Sequence, residues 1–308
     1  MGLKERLMAL KIIVDSSCGY SKEEAEAKGY FYVPLQITLL GKTYTEGVDI
    51  TADEFYALLG KGELPHTSQP SPMLYQEVFD KASKDGDEVL LLSISSKVSG
   101  AFQAANIAKN DCEHPEKIHL FDTLSFFGGI LIFLNEVEKI KEEPIEVILE
   151  DLEELRPHIH VFAGMDTLEY VYKGGRLSKF HFALGIFMHA KAIGTLDDGS
   201  VVLAGKALGT SNAMKFIIEK SKEYPVNWDY PCYLLYSSEK SILDRFSTDF
   251  FYKAYPEHQN LPIIQIDPLI GSHIGPLVYG IFYVAGEREK HKLLIQRIKE
   301  RLTHKGEK

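Results

Sequence analysis

The chain has 308 residues, of which 45% are hydrophobic and 25% charged, a composition that excludes a largely disordered protein. Its formal net charge is −10, and because an acidic surface repels phosphate backbones, nucleic acid is excluded as a main partner. The three cysteines form no Cys-x-x-Cys pair and no secretory signal begins the chain, which predicts a cytoplasmic protein. The most apolar run, residues 126–134, is far shorter than the roughly 20 residues of a membrane helix, so we expect a soluble protein.

The first half of the chain alternates apolar strands with helical patterns. Strands are predicted over residues 10–14, 30–40, 88–94 and 118–121. Helices are predicted after the capping residues Ser21, Thr51 and Ser71 and over residues 99–110 and 125–142. Pro34 indicates that the second strand lies at a sheet edge. This alternation is typical of βαβ units, so the sequence predicts a three-layer α/β/α domain with a mainly parallel sheet.

The pattern becomes mixed after Pro144. The predicted elements are a helix ending near Leu155, an extended segment over residues 160–165, a hairpin over residues 195–202, and strands over residues 232–236, 263–266 and 277–284. Residues 180–188 resemble an apolar helix, residues 271–276 are predicted as a loop, and a basic amphipathic helix begins at Glu287. These patterns predict a second α/β domain with a mixed sheet, and we expect the two domains to cover residues 1–160 and 161–308.

Hydroxyl side chains are concentrated in loops at predicted strand ends and before helices. Thr67 precedes one helix, and Ser95 and Ser96 follow a buried strand and precede another. Ligands of open parallel sheets bind beyond the carboxyl ends of the strands, and helix N-termini favour anions. The alternative is that these hydroxyls only cap helices. We favour an anion site at Thr67 and one of Ser95 and Ser96, because alternation along a strand lets only one of the two face a ligand.

Two further loops each present one candidate side chain. Arg176 ends a Gly-Gly-Arg turn, which by itself is typical of a helix C-cap followed by a solvent-exposed cation. His273 lies between Gly271 and Gly275, where backbone approach is unrestricted.

Several familiar chemistries are missing from the sequence. It contains no Walker ATP motif, no dinucleotide-binding glycine motif, no nucleophile elbow and no His-Glu-x-x-His metal motif. We therefore expect no catalytic residue, metal or cofactor, and a binding site for a carboxylate or phosphate head group. Residues 126–134 and 180–188 are apolar on every helical face, so they are buried core helices, or they border an apolar slot suited to a fatty acid.

The motifs together resemble those of the DegV family, the fatty-acid-binding subunits of bacterial fatty-acid kinase. The matching segments occur in family order over nearly the whole chain, at residues 13–17, 33–37, 44–51, 67–72, 95–100, 167–176 and 271–276.

The resemblance implies two α/β domains with a lipid tunnel between them. It implies that a long-chain fatty acid is the ligand, and that its carboxylate is bound by Thr67 and by Ser95 or Ser96. Arg176 and His273 would support phosphoryl transfer at the head group. A separate ATP-dependent kinase chain would form the acyl phosphate, and transient contact with a membrane surface would accompany lipid exchange.

The chain departs from the family's usual pattern at Ala101, at Ala192 and over residues 206–208, which carry a single basic residue. These departures bear on the docking of the kinase more than on lipid binding. The alternative function is that of a stand-alone enzyme, a small phosphotransferase or esterase using His273 with Ser95 or Ser96.

Overall fold

The computed structural model describes residues 9–62, 64–177, 190–288 and 295–301. The strands of the first half are β1 (Leu10–Asp15), β2 (Phe31–Val33), β3 (Gln36–Leu39), β4 (Lys42–Thr45), β5 (His66–Ser68), β6 (Glu88–Ser93) and β7 (Ile118–Asp122). Its helices are α1 (Lys22–Ala27), α2 (Ala52–Leu58), α3 (Pro72–Ser83), α4 (Ala101–Asp111), α5 (Gly128–Ile140) and α6 (Ile145–Leu155).

The first half contains the predicted parallel sheet, in the strand order β2-β1-β6-β7. Pro34 divides the predicted strand over residues 30–40, because proline has no N–H to donate to a ladder. The part before it is β2, which is an edge strand as predicted. The part after it is β3, the middle strand of a small antiparallel sheet of order β4-β3-β5.

The second half contains strands β8 (Ile159–Met165), β9 (Ala190–Asp197), β10 (Ser200–Leu208), β11 (Tyr233–Tyr236), β12 (Ile263–Gln265) and β13 (Tyr279–Val284). Its helices are α7 (Glu169–Lys173), α8 (Thr210–Glu223), α9 (Lys240–Phe246), α10 (Tyr252–Ala254) and α11 (Pro268–Ile274). The strands form one mixed sheet of order β10-β9-β8-β13-β11-β12, in which β11 and β12 are parallel. The predicted fold class, a parallel-sheet domain followed by a mixed-sheet domain, is confirmed.

The predicted loop over residues 271–276 is wrong over its first four residues, which belong to α11. Asp267 caps this helix by accepting a hydrogen bond from the Ile270 N–H at 2.7 Å, and Pro268 occupies the first helical position. Gly271 lies inside the helix, and this position requires glycine because a Cβ there would overlap the Tyr56 hydroxyl. Gly275 then ends the helix with φ of +80°.

Some predictions concern residues outside the described ranges. The apolar helix predicted over residues 180–188 lies there, as does part of the basic helix predicted from Glu287, of which residues 295–301 are helical. The four-stranded sheet uses residues 10–122 and the six-stranded sheet residues 159–284, and the exact domain boundary stays a prediction. No helix in the described part of the chain has the length and apolar character needed to span a membrane.

Helix α5 lies between the two large sheets and joins their cores. It contacts β6 on one side and β8 and β13 on the other, and its residues 128–134 are all buried. Gly128 lets the helix approach β13 closely, because a Cβ there would lie 2.7 Å from the Phe282 ring. Residues 128–134 are apolar and need cover on every side, and the two sheets together with α6 provide that cover.

Asp15 connects the carboxyl ends of β1 and β6. It is fully buried and accepts hydrogen bonds from the Ser17 N–H at 3.1 Å, the Ile94 N–H at 2.9 Å and the Ser93 hydroxyl at 3.2 Å. Burial, the largest influence, raises the pKa of this carboxyl above its usual value, while these hydrogen bonds lower it. Asp15, at the start of the loop that follows β1, therefore stabilises the fold and is not available to a ligand.

We expect Asp15→Ala to lower the free energy of unfolding by about 2–4 kcal/mol, because it leaves buried backbone N–H groups without acceptors. Chemical denaturation followed by circular dichroism measures this loss. Asp229→Ala is the control, since Asp229 is exposed in a loop and its removal should change stability by less than about 0.5 kcal/mol. Equal stability of the two variants would contradict the structural role of Asp15.

Candidate functional site

Two adjoining cavities lie between the first-half elements and the six-stranded sheet. The first, the head cavity, has the polar lining residues Thr67, Ser99, Arg176 and His273. The second, the tail cavity, is almost entirely apolar, and its walls include Val161 and Phe282 of the sheet. The two cavities share the wall residues Phe126, Val201, Ile270 and Ile274. This arrangement suits an amphipathic ligand.

Both cavities are narrow, with a volume of about 40 Å³ each. Pockets that hold small molecules usually enclose roughly 300–1,000 Å³, so a long ligand would enter only as side chains move apart. The shared walls are aliphatic and aromatic side chains, and their separation breaks no hydrogen bond of their own. The cost of opening is therefore lost packing, which contact with an apolar ligand would restore.

His273 lies in the last turn of α11, and its Nε2 is 2.8 Å from Thr67 Oγ1. Burial, together with the nearby charge of Arg176, lowers the pKa of His273 to about 4, so the ring is neutral at pH 7. Its buried Nδ1 has no hydrogen-bond partner among the described residues. Gly174 packs against this atom, since a Cβ there would lie 2.8 Å from Nδ1. A neutral ring with a free nitrogen can hydrogen-bond to a ligand group.

Arg176 follows the turn that ends α7, where Gly175 has φ of +73°. Its Nε donates to the Val98 carbonyl at 3.1 Å, and Nη1 donates to the Gly174 carbonyl. The side chain is half-buried, so the interpretation as a solvent-exposed cation does not hold. No carboxylate of the described residues lies within ion-pairing distance of it, and burial lowers the pKa of the guanidinium. A partly desolvated cation without a counter-ion favours the binding of an anion.

Thr67 and Ser99 supply the hydroxyl groups of the head cavity. Thr67 is on β5, where it is paired with Ile37 of β3, and this pairing fixes its position opposite α11. Ser99 also accepts a hydrogen bond from the Ala101 N–H at 3.2 Å, at the start of α4. The sequence reasoning missed Ser99 as a lining residue, although it lies in the same hydroxyl-rich segment as Ser95.

Ser95 and Ser96 do not line either cavity. Ser95 is buried, and its hydroxyl donates to the Gly199 carbonyl in the turn between β9 and β10 at 2.8 Å. Ser96 is exposed, and its N–H donates to the carboxylate of Asp122. His273 therefore bonds to a threonine, and neither serine is paired with it as the alternative enzyme would require.

The two histidines that flank Ile159, at the start of β8, have structural partners. The Nδ1 of His158 lies 3.0 Å from the Ala285 carbonyl, and the ring of His160 stacks on Tyr224 with centroids 5.0 Å apart. Within the described ranges, no group of three or more His, Cys, Asp or Glu side chains is arranged to hold a metal ion.

Comparison with known proteins agrees with this architecture. Residues 9–286 match the family model described as "Uncharacterised protein, DegV family". A DegV domain-containing protein of Caldanaerobacter subterraneus is 30% identical over 277 residues, which are 89% of this chain and 98% of that protein.

Two solved structures share the fold. One is the structure of a fatty-acid-binding DegV family protein from Thermus thermophilus. It superposes with a TM-score of 0.80 at 28% identity and covers 91% of this chain and all of that one. The fatty-acid-binding DegV family protein of Streptococcus agalactiae superposes with a TM-score of 0.79 at 25% identity, again over 91% of this chain and all of that one. The chain belongs to the DegV family.

Proposed function

We propose that this protein binds a long-chain fatty acid, with the carboxylate in the head cavity and the acyl chain in the tail cavity. The observation that carries the proposal is the group of polar side chains, Thr67, Arg176 and His273, in a cavity that adjoins a second, almost entirely apolar cavity. Fatty acid binding by the Thermus and Streptococcus relatives supports it.

The head cavity has the donors that a carboxylate needs. Arg176 supplies a positive charge that no carboxylate of the described residues pairs with, Thr67 and Ser99 supply hydroxyls, and His273 supplies a ring nitrogen. Contacts of the carboxylate with Ser95 or Ser96, which the sequence predicts, form an alternative arrangement of the proposed site. They would require the loop after β6 to move, because the Ser95 hydroxyl is bonded to Gly199 and Ser96 faces solvent.

We further propose that the bound carboxylate is presented to a separate ATP-dependent kinase chain in the cytoplasm, with transient membrane contact during lipid exchange. The absence of a Walker motif from the sequence supports a need for a second chain. The charge on the head group grows as a phosphoryl group is added. The arginine and the histidine at that place are suited to stabilise the added oxygens without any cofactor.

The first expectation is that the purified protein carries one long-chain fatty acid. Burying roughly 16 methylene groups at about 0.8 kcal/mol each gives a large gross stabilisation before the costs of ordering. Native mass spectrometry, with identification of the extracted lipid, measures the occupancy. Lipid-free protein after incubation with both oleate and palmitate would refute the proposal.

The second expectation concerns which hydroxyl groups contact the carboxylate of the fatty acid. Thr67→Ala should weaken fatty acid binding by about 1.5–3 kcal/mol, because it removes a hydrogen bond to a charged oxygen and releases His273. Ser96→Ala is the matched control and should bind like the parent, since its side chain is exposed. Titration with a fluorescent fatty acid compares the two. An equal loss in Ser96→Ala would show that the loop rearranges and that Ser96 contacts the ligand.

The third expectation concerns presentation to a kinase. Arg176→Ala and His273→Ala should reduce acyl-phosphate formation by at least about 100-fold and should weaken fatty acid binding by a smaller factor, because these side chains face the carboxylate before transfer and a larger negative charge during transfer. The assay supplies a bacterial fatty-acid kinase and ATP. Lys173→Ala is the control, since this neighbouring cation is exposed and paired with Glu169.

Two outcomes would contradict this assignment. If the variants lose lipid binding outright, Arg176 and His273 belong to the carboxylate site alone. If the parent protein forms product from ATP without a kinase, it is itself an enzyme.

A further inference from the structure

The β9–β10 hairpin extends beyond the part of the sheet that supports it. In the described part of the chain, β9 pairs with β8 only through residues 192–194, and the edge strand β10 pairs only with β9. Residues 195–202, called the arm below, therefore form a two-stranded ribbon with no third strand beside it. Because a two-stranded hairpin is at best marginally stable in water, contacts outside the sheet have to hold the arm in place.

The tip of the arm lies against the first half of the chain. Asp198 and Gly199 form its turn, with φ of +43° and +76° respectively, and Gly199 is buried although it ends a hairpin. The Ser95 hydroxyl donates to the Gly199 carbonyl at 2.8 Å, and the Lys97 ammonium lies 3.8 Å from the carboxylate of Asp198. A Cβ at Gly199 would lie 2.5 Å from Ser95 Oγ and 2.9 Å from Leu124 Cδ2, so the tip fits closely.

The hydrogen bond from Ser95 is the buried polar contact at this tip. Ser95 Oγ also accepts a hydrogen bond from the Lys97 N–H at 3.2 Å, and this second bond orients the hydroxyl. The ion pair between Lys97 and Asp198 is exposed, so it contributes little. Without the Ser95 hydroxyl, the buried Gly199 carbonyl would lose its donor, and the closed position of the arm would become less stable.

The arm also forms part of the ligand site. Val201 lines both the head cavity and the tail cavity, and Thr195 lines the tail cavity. Both cavities are narrow, so a long ligand enters only when a wall moves. The arm is suited to move, because its own sheet supports it only at its base and its release breaks one buried side-chain hydrogen bond at the tip.

We propose that Ser95 is a positioning residue that holds the arm closed over the ligand site, and that release of the arm opens the path by which a fatty acid enters and leaves. The identity of the ligand rests on the proposed function. In this arrangement Ser95 acts through the arm and does not contact the carboxylate.

The first test measures the rate constants of fatty acid binding by stopped-flow fluorescence. In the proposal the Ser95–Gly199 hydrogen bond is present in both the empty and the loaded protein, so its loss favours the open arm equally in both. Ser95→Ala should therefore raise the association and dissociation rate constants alike by roughly fivefold, the equivalent of one hydrogen bond, and leave the dissociation constant unchanged.

Ser96→Ala is the control for this measurement, because Ser96 is the exposed neighbour, and it should keep the rate constants of the parent. A faster dissociation alone in Ser95→Ala, with a matching loss of affinity, would identify Ser95 as a contact of the carboxylate and overturn the proposal. Rate constants equal to those of the parent would overturn it as well.

Gly199→Ala provides a second variant, because its Cβ would prevent the tip from reaching Ser95 and Leu124. It should also raise both rate constants. Gly41→Ala is the matched control, since Gly41 lies in the β3–β4 turn with φ of +75° and a Cβ there would have no neighbour within 4 Å among the described residues. It introduces the same backbone strain without the contact. Equal effects of the two variants would count against the role of the tip.

A spin label at Asp197→Cys reports the position of the arm without any ligand. Asp197 is exposed and the three native cysteines are buried, so the label attaches to the arm. Ser95→Ala should increase the mobility of the label in its electron paramagnetic resonance spectrum, whereas Ser96→Ala should not. An unchanged spectrum in Ser95→Ala would refute the role of this hydrogen bond. If the parent protein binds no fatty acid, the proposed function fails, while the spectrum still decides whether Ser95 holds the arm.

Discussion

The burial of α5 is the constraint on which the architecture depends. Its residues 128–134 are apolar on every side, so neither sheet alone can remove them from water, and both large sheets pack against the helix. Phe126 and Phe127, which precede the helix, line the tail cavity. The requirement that joins the two halves of the chain thus also produces the apolar space between them.

The head cavity concentrates positive character in an acidic protein. The formal charge of −10 disfavours an anionic ligand at the general surface, but the cavity contains a neutral histidine and a half-buried arginine that has no carboxylate partner within the described part of the chain. Each polar side chain comes from a different segment, and hydrogen bonds to Val98 and Thr67 hold Arg176 and His273 in place. Such prior positioning lowers the cost of ordering on binding.

Helix α11 contributes wall residues to both cavities. Its buried face contacts α7, α2 and the small sheet that carries Thr67, and its side chains separate the head cavity from the tail cavity. The acidic cap at one end and the histidine at the other place two titratable sites on one short rigid element.

The sequence by itself determined the strands and most helices, because apolar periodicity and capping residues are local signals. Pro34 and the Ser21 capping box illustrate this, since both act within a few residues of themselves. The DegV motifs also singled out Thr67, Arg176 and His273, which the fold brings together around one cavity.

The tertiary structure alone decided which hydroxyls face that cavity. Ser95, Ser96 and Ser99 belong to one segment, and only contact with the β9–β10 turn directs Ser95 away while Ser99 remains at the wall. The glycines around His273 predicted a loop, but Gly271 lies in a helix. Glycine occupies this position because Tyr56 packs against it and leaves no room for a side chain.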